Sequence, residues 1–311
     1  MSASASKKVI YAALAGNSLI AVTKFGASAA TGSSAMFSEA IHSLVDTGNQ
    51  MLLLFGMHRA KRPADAAHPF GYGKEIYFWA FVVAILIFGL GASISFYEGL
   101  SKLANPHPVS DAYINYLVLS AAILFEGGAW WFAFREFRAT KGNQGYLQAV
   151  RNSKDPTLFT VLFEDSAAML GLLIALAGVA ASEFTGNGVY DAMASIGIGV
   201  VLAVTAAFLA LECKGLLIGE AADPAVVAGI GAIATEHAGI DRMNEIRTMH
   251  FGPQDVLVAL SLDFVDEISA GDVESIISDM EQRIKRTFPE VTRVYIEAQS
   301  WSSHQRALEK P

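Results

Sequence analysis

Six apolar stretches, each long enough to cross a bilayer as a helix, run through the first 217 residues and restrict the fold more than any other feature. They are Val9–Ala30, Ala35–Met57, Tyr77–Leu103, Ala112–Phe134, Pro156–Ala181 and Gly188–Leu217. Because a span must satisfy every backbone polar group within itself, each is expected to be helical. The whole chain of 311 residues is 53% hydrophobic, too apolar for an ordinary aqueous domain. Small or helix-breaking residues separate the runs, as in Thr31-Gly-Ser-Ser34 and His68-Pro-Phe-Gly-Tyr-Gly-Lys74. Lys and Arg crowd the N-terminus, the loop with Arg59, Lys61 and Arg62, the loop from Arg135 to Lys154 and the segment after the sixth run, whereas the alternate loops are poor in them. The positive-inside rule then puts both termini in the cytoplasm, which requires an even number of spans, and in a bacterium it points to the inner (plasma) membrane. Met1 to Lys8 lacks the layout of a cleaved secretory signal, so the N-terminus is expected to be retained.

Beyond Lys214 the periodicity changes. Pro224–His237 and Asp272–Phe288 read as helices, while Met243–His250, Val256–Phe264 and Thr292–Ala298 alternate with the period of strands. The expected fold is therefore a six-span α-helical transmembrane domain over residues 1–217. A small cytoplasmic α+β domain of order αββαβ follows over 218–300, ferredoxin-like or metallochaperone-like, with helices on one face of its sheet. Residues 301–311 are expected to be a flexible tail. From Glu220 on, the chain carries 16 Asp or Glu and 8 Lys or Arg, which accounts for its whole formal net charge of −8. An acidic soluble part argues against nucleic acid as a partner.

Polar residues inside the second apolar run carry the chemistry: Ser38-Glu-Ala-Ile-His-Ser-Leu-Val-Asp-Thr-Gly-Asn-Gln50. His42 and Asp46 stand four apart, on one helix face, where an imidazole and a carboxylate can share one small ion. A carboxylate in hydrocarbon costs about 2.5 to 3.5 kcal/mol on the insertion scale, so such residues normally have partners and a task. Other intramembrane charges are Lys24, Glu39, Glu126, Glu164, Asp165 and Asp191. Lys24 can snorkel or pair with an acid. Glu39 is placed to guide ions or to fix the His42 tautomer, although a hydrogen bond to a neighbouring helix explains it equally. Glu126 is a weaker candidate for the same path, since a polar contact between helices also accounts for it. The single cysteine, Cys213, excludes an intramolecular disulfide and any multi-thiolate cluster, leaving His and carboxylate oxygen as metal ligands. No His-Glu-x-x-His and no phosphate-binding loop occurs, which counts against a metalloprotease and against direct ATP drive.

This combination resembles the cation diffusion facilitator family over Lys8 to Gln299. The stretch around His42, the His68–Lys74 loop and the Glu164-Asp165-Ser-Ala-Ala segment are similar to the branch that includes mitochondrial-type zinc transporters. The resemblance implies a homodimeric, non-enzymatic secondary transporter that exchanges a cytoplasmic divalent cation, most often zinc, for protons. It implies no prosthetic group, with zinc as substrate. It also implies four ligands from the second and fifth spans: His42 and Asp46 match one pair and Asp165 half of the other. Val161 stands where a further ligand is common, and Glu164 is a substitute only if its helix is rotated or locally unwound, since consecutive residues point about 100° apart. In the loop, Asp65 and His68 match two positions of a secondary metal site, with Tyr72 in place of a further His. Asn244, Ser261 and Glu297 stand where cytoplasmic zinc ligands are usual, and His250 and Glu297 are a candidate pair across strands. An imidazole among carboxylates favours zinc over manganese. Two rival readings remain open: a membrane-anchored metal sensor with a regulatory cytoplasmic domain, and a cation channel.

Overall fold

A computed structural model describes residues 3–142 and 145–309. Met1, Ser2, Lys310 and Pro311, the outermost residues of the expected N-terminus and tail, lie outside the described residues. The helices in chain order begin with α1 (Ala3–Thr31), α2 (Ser34–Ala60) and α3 (Glu75–Leu86). A π-helical segment, Ile87–Ala92, joins α3 to α4 (Ser93–Ala104), and α5 (Ala112–Thr140), α6 (Tyr146–Asn152), α7 (Pro156–Thr185) and α8 (Val189–Ile218) follow. Among the described residues four stretches are long and apolar enough to cross a membrane: α3 through α4, α5, α7 and α8. The first two expected runs are helical as well, and α2 is less apolar because it carries Glu39, His42, Asp46, Asn49 and Gln50. Leu19, Leu117, Leu124, Phe132 and Leu211 stand exposed, as side chains facing hydrocarbon rather than water would.

Helix starts and close approaches set the packing. Asp155 precedes Pro156, and its carboxylate accepts from the Thr157 amide at 3.0 Å, so one residue caps α7 while the proline fits the first turn. Along α4, Gly99 lies against α8 so closely that a Cβ would fall 2.6 Å from Ile196 and 2.9 Å from the Ala192 carbonyl. This small-residue contact lets two backbones approach in the way membrane helices favour. The π-helical segment interrupts an apolar run expected to be one regular helix, and α6 lies in a stretch expected to be loop.

The chain forms two compact units. The first takes in the residues up to His58 and Ile76–Lys214; the second takes in Arg59–Glu75 together with the chain from Gly215 on. The loop after α2 thus belongs with the sheet: Gly73 lies against the Phe251 carbonyl, and Arg293 donates to the Phe70 carbonyl at 3.0 Å.

In the second unit, α9 (Pro224–Thr235), β1 (Ile240–Gly252), β2 (Asp255–Phe264), α10 (Ala270–Thr287) and β3 (Val291–Ala298) follow the expected αββαβ order. Strand β2 lies in the middle, antiparallel to β1 and parallel to β3. Val256, Val258, Leu260 and Leu262 alternate along β2 into a core with Ile276, Met280 and Ile284 of α10 and Ile230 of α9. Spacings of two on the strand and four on α10 make this a sheet face packed on helices.

Two expectations fail here. Residues 301–308 are a helix, α11 (Trp301–Leu308), not a frayed tail. The Ser300 hydroxyl caps its start, His304 is buried with Nδ1 3.0 Å from Gln299 Oε1, and the Arg242 guanidinium lies 4.8 Å from the Trp301 ring. His250 and Glu297 do not meet: His250 pairs with Val256 at one end of β2, whereas Glu297 pairs with Ser261. With β2 between their strands and those partners five positions apart along it, the two side chains are well separated along the sheet.

Candidate functional site

Helices α1, α2, α5 and α7 enclose a cavity of about 330 Å³ within the first unit. Asp46 and Ser43 of α2, Glu126 of α5, and Asp165 and Val161 of α7 line it, with Asn17 of α1 and Gln50 of α2. Behind Asp46 stands His42, almost wholly buried, with Nδ1 3.5 Å from the Asp46 carboxylate. Neither ring nitrogen has a hydrogen-bond partner among the described residues, and the same holds for Asp46 Oδ1. A buried polar atom left without a partner costs about 1 to 3 kcal/mol, so these orphans mark a place built for something else.

The two adjacent acids of α7 part company. Asp165 faces the cavity, whereas Glu164 is buried and accepts from Asn49 Nδ2 of α2 at 2.8 Å. Val161, one turn before Asp165, puts an apolar wall where a fourth polar group was sought. Among the described residues no three His, Cys, Asp or Glu side chains stand close enough to hold a metal ion.

Lys24 of α1 does not snorkel. Its ammonium is fully buried and donates to Glu39 Oε2 at 3.1 Å, Ser43 Oγ at 2.8 Å and Glu126 Oε1 at 2.9 Å. Glu39 therefore contacts Lys24 rather than the His42 ring. Its other oxygen presses on α7 at Gly171, where a Cβ would come within 2.2 Å. Opposite charges buried in separate apolar runs were the signal for this cluster. A second one escaped the sequence reading. Asp191, in the first turn of α8, accepts from Lys102 Nζ at 2.7 Å, the Ser33 hydroxyl at 2.6 Å and the Ser34 amide at 2.7 Å. It caps the start of α2, and the signal was its place beside a span end.

In the loop, Asp65 accepts from the Tyr72 hydroxyl at 2.6 Å and from the amides of His68 and Ala67. The Tyr72 hydrogen bond, then the backbone ones, hold its pKa below the ordinary carboxylate value. His68 Nδ1 lies 3.6 Å away, and both side chains are exposed. Tyr72, standing where a further His was expected, ties up one oxygen of the acid. At the expected ligand positions of the second unit, Asn244 donates to Ser261 and to the Gln299 carbonyl, a neutral network in place of ligands. Cys213 is buried.

A family model described as the cation efflux transmembrane domain matches residues 10–218. The chain is 33% identical over 259 residues to a Xenopus laevis protein named proton-coupled zinc antiporter SLC30A9, mitochondrial, covering 83% of this chain and 46% of that one. It is 30% identical over 261 residues to metal tolerance protein C4 of Arabidopsis thaliana, covering 83% and 57%. It is 26% identical over 278 residues to cation-efflux pump FieF of Shigella flexneri serotype 5b (strain 8401), covering 89% and 87%. The chain thus spans about half the length of the vertebrate relative.

Proposed function

The chain belongs to the cation diffusion facilitator family, and from that membership we propose that it carries a divalent metal ion, zinc before its neighbours, across a membrane in exchange for protons. In this reading six helices cross the bilayer, α1 and α2 among them, with both termini in the cytoplasm, and residues 218–300 form a cytoplasmic domain. The working unit is a homodimer. His42, Asp46 and Asp165 hold the ion, and Glu164 joins them only if it leaves Asn49. Support comes from one observation above the others. Asp46 and Asp165 face the same cavity from different helices, with a partnerless imidazole beside Asp46.

Zinc takes nitrogen and oxygen ligands at about 2.0 to 2.2 Å in a tetrahedral shell and keeps a water where a protein ligand is missing. The side chains must therefore close on the ion from their present positions, and the cavity has room for its water. Metal and proton compete for the same groups, because carboxylate and imidazole ligate only when deprotonated. Exposure of the site to the two sides in turn then suffices for antiport, and no bond of the substrate is made or broken. The exposed pair Asp65 and His68 forms at most a weak loop site.

Zinc uptake into proteoliposomes under an imposed pH gradient tests the reading. Uptake should need a gradient with the lumen acidic and should alkalinise the lumen in step with it, and Asp46→Ala should abolish both. Uptake by Asp46→Ala at the wild-type rate, or a conductance without proton counterflow, would reject it.

A further inference from the structure

We propose that Glu39, Ser43 and Glu126 form a second cation position on the path, which the Lys24 ammonium fills in place of the transported ion. The inference rests on the reading of His42, Asp46 and Asp165 as the cargo site. Ser43 and Glu126 line the same cavity as Asp46 and Asp165, so the two positions share one continuous space. Ser43 precedes Asp46 by three residues and Glu39 precedes it by seven, which sets the second position about 5 to 10 Å further along α2.

The coordination of Lys24 is that of an ion in a site. An ammonium has three N–H groups, and here all three find oxygen, from Glu39, Ser43 and Glu126, at 2.8 to 3.1 Å. The oxygens are less well served. Glu39 Oε1, on a side chain that is fully buried, and Glu126 Oε2 have no hydrogen-bond partner among the described residues. One ammonium between two acids leaves an excess negative charge when both are ionised, and a divalent ion would cancel it. A lysine kept only to neutralise a buried acid needs one carboxylate, and Lys24 is shared between two.

The consequence concerns release. An ion leaving the His42–Asp46 pair meets two carboxylates already held by a tethered cation. It advances only as Lys24 yields them, and Lys24 returns behind it. Lys24 is thus a positioning residue that keeps the second position from retaining zinc.

Equilibrium dialysis of the purified full chain against zinc chloride, read by elemental analysis, tests this. Lys24→Met should bind one more zinc ion per chain than the wild type, and Lys24→Met/Glu126→Gln should return to the wild-type number. An unchanged number in folded Lys24→Met, or an extra ion that survives Glu126→Gln, overturns the proposal. If Lys24→Met does not fold, the neutral triple variant Lys24→Met/Glu39→Gln/Glu126→Gln decides. It should bind zinc as the wild type does yet transport about tenfold more slowly or worse. Wild-type transport by that variant would make the cluster a structural ion pair only. Asp46→Ala separates the premise, since zinc binding that survives it removes the cargo site whatever Lys24 does.

Discussion

Among the described residues the first unit contains two buried lysine–carboxylate clusters, and they differ in how completely they are satisfied. Asp191 has five donors around its two oxygens: Lys102 Nζ, the hydroxyls of Ser33 and Ser34, and the amides of Ser34 and Ala35. Lys24 sits between two acids that each keep one oxygen without a partner among the described residues, and one of these acids lines a cavity. Both clusters are charged and buried, so burial of charge alone does not distinguish scaffold from site. Saturation does. A closed set of hydrogen bonds fixes α2 where it begins, and an open set beside a cavity leaves capacity for a moving ion.

The contrast breaks most sharply under Asp191→Ala. It leaves Lys102 buried without its acid and the Ser34 amide at the start of α2 without its acceptor, and losing one partner of a buried pair costs about 3 to 5 kcal/mol. The expected result is a large drop in thermal stability, read by size-exclusion chromatography of heated detergent extracts, whereas Glu126→Gln should lose zinc flux with a much smaller drop. Equal losses of stability would erase the distinction. Next in size is Gly171→Ala. Its Cβ would fall 2.2 Å from Glu39 Oε1, and overpacking of this kind costs about 1 to 3 kcal/mol. Transport should fall together with stability, and Glu39→Gln should not rescue it, because the amide occupies the same space.

Smaller effects belong to the second unit, at a helix cap and a loop turn. Ser300→Ala removes the hydroxyl that caps α11 and should cost about 1 kcal/mol, seen as faster amide exchange over residues 301–308. Tyr72→Phe should change least and only with pH. The Asp65 pKa is depressed in the folded loop, chiefly by the Tyr72 hydroxyl. The turn it closes is therefore fully present above the ordinary aspartate value and is lost as pH falls through the lowered one. Without the hydroxyl that loss should move to higher pH, measurable by carboxyl carbon titration in aspartate-labelled protein. An unmoved titration would mean that the backbone amides alone hold Asp65.

Much of this was legible in the sequence. Apolar runs of spanning length and period-two alternation each report a physical requirement that acts over many residues, so α5, α7, α8 and the αββαβ order could be read directly. His42 and Asp46 were legible for the same reason, because helical spacing places them on one face. What escaped depends on contacts between distant segments. Asn49 takes Glu164 away from the cavity, and no pattern within α2 or α7 encodes that. Lys102 was unremarkable until Asp191 stood beside it. The polar composition of residues 301–308 does not reveal the helix α11, because what holds it are contacts of His304 with Gln299 and of Trp301 with Asp263.

X-ray absorption at the zinc edge, on the full chain loaded with one equivalent of zinc, bears most directly on the central assignment. The account predicts a shell of nitrogen and oxygen at about 2.0 Å with one imidazole in the outer-shell scattering, and loss of that imidazole in His42→Asn. An imidazole signal that persists in His42→Asn, or a sulfur scatterer at about 2.3 Å from the lone Cys213, would contradict it.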